Sequence, residues 1–144
     1  MADNWVTALN AVGVVGGLLF TAFSLHSEAK TRRVANLLTI TNNHRNIWAD
    51  FYRNPGLARV LDAAADITKK PVTREEEIFV NLVVLHTNSV FDATKDELVV
   101  KLEGLRRDVW WFFSLPIPIA VWERAKLVQN DAFVEFVDSC RNWK

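Results

Sequence analysis

The sequence predicts an all-α chain whose first helix spans a membrane and continues into a helical domain. Three observations carry this expectation. From Trp5 to Leu25 run 21 residues of mostly apolar and small side chains, and no Asp, Glu, Lys or Arg occurs between Asn4 and Ser27. Five Gly and four Pro punctuate 144 residues, too few for the many turns of an all-β protein. Further on, apolar residues recur at steps of three and four, and Thr followed three residues later by Glu marks helix starts at Thr73 and Thr94.

Composition narrows the class. The 17 basic and 17 acidic side chains cancel, which argues against a generally basic nucleic-acid coat and against an acidic tail. Half the residues are hydrophobic and 24% are charged, which excludes a disordered chain. The single cysteine, Cys140, has no partner for an internal disulfide.

Taken in order, the first element is the apolar run. At about 1.5 Å per residue, 21 residues of helix span roughly 31 Å, the thickness of a hydrocarbon core. Trp5 suits the interface at one end, and Lys30, Arg32 and Arg33 follow the other, opposed by Glu28. The positive-inside rule places that end in the cytosol of a bacterial inner membrane and the N-terminus outside. A cleaved signal peptide would need a basic stretch before the apolar run, where the only charged side chain is Asp3. Residues 1–27 are therefore expected to form the anchor and 28–144 a cytosolic all-helical domain. The alternative use of the same run is a central helix of a helical bundle.

The anchor carries a polar and small stripe. Thr7, Asn10, Gly17, Thr21 and Ser24 recur in heptad steps, Gly13 borders them, and Asp3 and Glu28 lie on the same line at either end. A helix–helix seam needs small residues and satisfied polar groups, whereas a lipid-facing surface needs neither. Gly13 and Gly17 form a GxxxG pair, and a buried Asn10 amide requires a partner from another chain. Homo-oligomerisation is the expected consequence.

Between Leu25 and Asn54 neither Pro nor Gly interrupts, so the anchor is expected to run on as one long helix until Asn54-Pro55-Gly56 stops it. A short helix carrying Leu57, Val60, Leu61 and Ala64 follows, then a loop over 68–72. Thr73 and Glu76 form a capping box, and Glu75, Glu76 and Glu77 suit a helix N-terminus. The helix they open, with Ile78, Phe79, Leu82, Val83 and Phe91, is expected to lie centrally. Thr94 with Glu97 repeats the box and opens a helix through Leu98, Leu102, Leu105 and Trp110, which Pro116 and Pro118 break. Helices around 120–129 and 132–140 complete the chain, with Asn130 or Asp131 as the second cap.

Catalytic chemistry finds little footing. His26, His44 and His86 are far apart in sequence and fit no ligand pattern, so neither a metal nor another cofactor is expected. There is no phosphate-cradling Gly loop in a soluble segment, no nucleophile motif around Cys140, and no enzymatic role is expected. Two mixed aromatic and basic clusters remain. Arg45, Trp48, Tyr52 and Arg53, beside His44, form one; Arg106, Arg107 and Trp111 form the other, where Trp110, Phe113 and Leu105 are expected in the core. Aromatics beside arginines supply the stacking and phosphate contacts that a nucleotide messenger or short single-stranded DNA needs. Subunit packing is the competing use of the same surfaces.

The segment GLRRDVWWFFSLPIPIAVWERAKLVQNDAFVEFVDS resembles the C-terminal half of small bacterial proteins with one N-terminal membrane helix and an all-α cytosolic domain. Trp110, Phe113, Pro116, Trp122, Phe133 and Phe136 carry the likeness, and NHRNIWADFYRNPGLARVL resembles the upstream helix pair. Pro118 stands where that pattern has a Gly-containing turn. The resemblance implies fold and topology; its motifs are of core type. The general plan is also similar to that of membrane effectors of antiphage defence, of Hailong or CRISPR-associated type, gated by nucleotide or DNA-oligomer messengers. The resulting expectation is a homo-oligomeric membrane effector, a ligand-gated channel or membrane-disrupting protein. The alternative is an anchored helical module that docks another protein.

Overall fold

The computed structural model describes residues 2–95 and 102–142, and within these the side chains from Val14 on, apart from residues 15, 95 and 102. Every regular element among the described residues is helical. Helix α1 covers Ala2–Arg53 without a break. A 3-10 helix, Pro55–Leu61, follows, then α2 (Arg74–Lys95), α3 (Leu102–Phe112), α4 (Pro116–Ala125), a 3-10 turn Lys126–Val128 and α5 (Asp131–Arg141). The chain divides into two compact units, Met1–Leu38 and Thr39–Lys144.

The first unit is the leading part of α1. Its described large apolar side chains are exposed, from Val14 (62%) through Phe20 and Phe23 (both 73%) to Leu38 (58%), except Leu37, which is partly buried. The second unit holds the core. Pro55 keeps Asn54 out of the helical region (φ −117°, ψ 87°), which ends α1, and Pro55 itself takes the first turn of the 3-10 helix. The expected α-helix through Ala64 is cut short there. The Asp62 carboxylate accepts from the Ala64 N–H at 2.8 Å, and that Asx turn takes the backbone out of the helix.

α2 opens on the expected capping box. The Thr73 N–H donates to Glu76 Oε2 at 2.8 Å and the Glu76 N–H donates to Thr73 Oγ1 at 3.3 Å. Phe79, Val80, Val84, Val90 and Phe91 then face the core, while Ile78, Leu82 and Leu85 lie exposed, so α2 is covered on one side only. The helix expected to lie centrally thus buries Phe79 and Phe91 of its apolar residues and leaves Ile78 and Leu82 outside. Thr94 is corrected: it lies inside α2 with its hydroxyl donating to the Phe91 carbonyl at 2.6 Å, while Glu97 and Leu98 fall outside the described residues.

α3 turns Leu105, Val109 and Phe112 inward, leaving Trp110 (41%) and Trp111 (46%) exposed. Trp110 is thus a surface residue and Phe112 takes the expected core place beside Phe113. The chain ends α3 before the prolines; Pro116 instead sits in the first turn of α4, where its missing N–H costs nothing. The core centres on Trp122 of α4, wholly buried, with Phe113 at 5.2 Å and Phe133 of α5 at 5.7 Å between ring centroids. Phe91 of α2 stacks on Phe136 at 4.6 Å and joins this cluster from the other side. Asn130 caps α5, its side chain accepting from the Phe133 N–H at 2.9 Å. Asn130→Ala is expected to cost about 1 kcal/mol by urea unfolding, since the cap is lost while the core residue Phe133 stays in place.

Candidate functional site

The end of α1 places Ile40, Ile47 and Phe51 against the core at helical spacing. That presentation carries His44 and Trp48 to the same helix pair. Phe51 meets Phe79 of α2 at 5.4 Å, and seven residues back His44 meets His86, seven residues on, also at 5.4 Å. The two helices therefore run antiparallel, joined by rings. Trp48 makes an edge contact with His44 at 6.2 Å and its indole N–H donates to His44 Nε2 at 3.0 Å. A nitrogen that accepts this bond carries no proton, so His44 is the neutral Nδ1–H tautomer in this arrangement. Burial, and then the positive charge that His44 carries when protonated, hold His86 below the ordinary histidine value of 6.5.

Of the first expected ligand cluster, Trp48 and Tyr52 come together at 6.3 Å, with Phe51 touching both. Tyr52 is 78% exposed, a flat aromatic face open to solvent. Arg45 is exposed, and Arg53 lies beside Asp50, Nη1 to Oδ1 at 3.3 Å. The second cluster is divided. Arg106 turns to α5, donating to Ser139 Oγ at 3.3 Å with its guanidinium 5.5 Å from the Phe136 ring. Arg107 and Trp111 are exposed. An arginine stacked on its own core is less available to an anion than one in solvent, which leaves the α1 cluster as the better-formed surface.

The histidine pair was not visible in the sequence. His44 and His86 are 42 positions apart, and only the antiparallel register of α1 on α2 joins them. No group of three or more His, Cys, Asp or Glu able to hold a metal occurs among the described residues. Cys140 is fully buried, and burial pushes its thiol up against the opposing influence of Arg106 and Ser139, which suits packing rather than nucleophilic attack.

On the expected seam, Asp3, Thr7, Asn10 and Gly13 lie in the backbone of α1 with side chains outside the described residues. Gly17, Thr21, Ser24 and Glu28 are exposed. Thr21 Oγ1 donates to the Gly17 carbonyl at 2.8 Å, which satisfies the hydroxyl within its own helix. Glu28 forms an ion pair with Arg32 one turn on. No helix among the described residues is long and apolar enough to cross a membrane. Trp5 to Gly13, together with Val15, lie outside the described side chains. No family model, curated protein or solved structure matches the chain.

Proposed function

We propose that the chain is a homo-oligomeric membrane effector: the apolar part of α1 inserts in a bacterial inner membrane, and the helical unit that follows responds to an anionic ligand. The observation that carries this reading is the exposure of Val14, Leu18, Leu19, Phe20, Phe23 and Leu25 on an uncharged stretch of α1. A helix that leaves so much large apolar surface uncovered needs lipid or another helix around it. The stripe through Asn10, Gly17, Thr21 and Ser24 divides those roles, small and polar residues meeting a second copy and large apolar ones meeting lipid. The Trp48–Tyr52 surface, with Arg45 and Arg53 on the same turns of α1, is the proposed ligand face, for a nucleotide messenger or short single-stranded DNA.

In a symmetric assembly Asp3 and Glu28 become carboxylate rings about 37 Å apart along the helix. Such rings favour cations at a pore mouth. Arg32 beside Glu28 offsets the inner ring, so Arg32→Gln is expected to strengthen cation preference and Glu28→Gln to weaken it. Purified protein in liposomes, tested for ion flux with nucleotides and short DNA and for reversal potential under a salt gradient, checks both. Anion preference, or identical potentials in the two variants, removes the ring from the account.

A second reading has its own observation. Ile78, Leu82 and Leu85 form an exposed apolar line on α2 at steps of four and three, the pattern an amphipathic partner helix would cover. It makes the chain an anchored docking module. Absence of flux under every ligand condition selects this reading.

A further inference from the structure

We infer that the His44–His86 contact is a proton-operated latch that holds the end of α1 on α2 while both imidazoles are neutral and releases it when they charge. This inference is independent of the membrane reading. It stands on three geometric facts: the rings lie 5.4 Å apart, they bridge two helices, and His44 Nε2 is already an acceptor for the Trp48 indole. Protonation of His44 at Nε2 turns that acceptor into a donor facing another donor, so the bond to Trp48 is lost. A second charge, on the half-buried His86, then stands 5.4 Å from the first, which is on the exposed His44.

Among the described residues no carboxylate acts on His86. One turn either side of His86, α2 presents Leu82, Val83, Ser89 and Val90. On α1, Asp50 is paired with Arg53 and Arg45 is exposed. Arg59 of the 3-10 helix is bound to Glu76, Arg124 of α4 to Glu77, and Glu123 to Lys126 and Arg141. On α3, Arg106 is turned to Ser139 and Phe136, while Glu103, Arg107 and Asp108 are exposed. Acting on His86 are burial and the charge of His44. Because its folded value is lowered, the seam is at full strength above 6.5, and strength is lost as pH falls from there through that lowered value. The other ring contact across the seam, Phe51 with Phe79, carries no charge and is untouched by protonation of the pair.

Hydrogen–deuterium exchange of the full chain in detergent micelles, corrected for the intrinsic pH dependence of exchange, tests this between about pH 7.5 and 5.5. The expected result is a rise of about tenfold or more in exchange over residues 39–53 on acidification. Protection around Trp122 and Val137 in the core should not change. His86→Phe keeps a ring and removes the charge; His44→Gln keeps an acceptor for the Trp48 indole without a titrating group. Both are expected to flatten the response, and His26→Gln to leave it intact. A flat response in the native chain, its persistence in whichever of the first two variants folds, or its loss in His26→Gln overturns the latch.

Discussion

Glu76→Leu, with Arg59 left in place, is expected to destabilise the protein by about 3–5 kcal/mol, the cost of stranding a buried charge. Glu76 is 2% exposed and Arg59 16%, and the two are joined by a two-pronged contact, Nε to Oε1 at 2.8 Å and Nη2 to Oε2 at 3.0 Å. Arg59 also donates to the carbonyls of Lys70 at 2.9 Å and Pro71 at 3.0 Å, while Glu76 caps its own helix through the Thr73 N–H. One ion pair therefore ties the 3-10 helix, the loop before α2 and the start of α2. Removing the carboxylate loses the cap and leaves a guanidinium with carbonyls for company. The double variant Arg59→Met with Glu76→Leu is expected to cost much less than the single one, because apolar replacements strand neither charge. Urea unfolding of the three proteins measures the difference. A double variant no milder than Glu76→Leu would show that the cap and loop contacts dominate.

Acid should expose the same pair. Burial works against ionisation of Glu76, yet the Arg59 and Thr73 hydrogen bonds, with the charges of Arg59 and Lys70, outweigh it and hold the carboxyl below the ordinary 4.5. The stability this supplies is complete above 4.5 and is lost as pH falls through the lowered value. The double variant should lack that component of the acid transition, which separates it from the response of His86 at higher pH.

What the sequence discloses is what depends on neighbours in the chain. Asn54-Pro55-Gly56 ends a helix because of the backbone restriction before proline, and the reciprocal bonds of Thr73 and Glu76 need only a three-residue spacing. Asn130 reads as a cap for the same reason. The misjudged elements are those decided by contacts distant in sequence. In α3, Trp110 to Phe113 are four consecutive aromatics, so several registers place rings inward; the packing of Leu105, Val109 and Phe112 selects one and leaves both tryptophans outside. The Arg59–Glu76 tie crosses 17 positions and the His44–His86 contact 42, and neither has a spacing rule that could announce it. Trp48 and Tyr52 were legible as a cluster because they share one helix, whereas the division of Arg106 from Arg107 follows from where α5 happens to lie.

Gly17→Leu is expected to dissolve the proposed assembly while Gly16→Leu leaves it intact. Within one chain the two positions are equivalent: an added Cβ at either meets nothing within 4 Å. Both substitutions remove a helix-interior glycine, so each should stabilise the isolated helix by about 0.5–1 kcal/mol. Any loss must therefore come from outside the chain. The two residues point about 100° apart around the helix. Gly17 lies on the line of Asn10, Thr21 and Ser24, and Gly16 does not. Thr21 has its hydroxyl folded onto the Gly17 carbonyl, so this part of the stripe offers small, satisfied groups that a neighbouring backbone can approach. An isobutyl group at Gly17 holds the helices apart; overpacking of this kind costs roughly 1–3 kcal/mol at each contact. At about 1.4 kcal/mol per tenfold, association should fall by around tenfold or more. Mass photometry in detergent and cross-linking in membranes measure the outcome, and liposome flux should fall with it. Equal assembly in the two variants removes the seam from this stripe. Loss in Gly16→Leu alone moves it a quarter-turn round the helix, onto the face of Phe20 and Phe23, and with it the rings of Asp3 and Glu28 leave the pore.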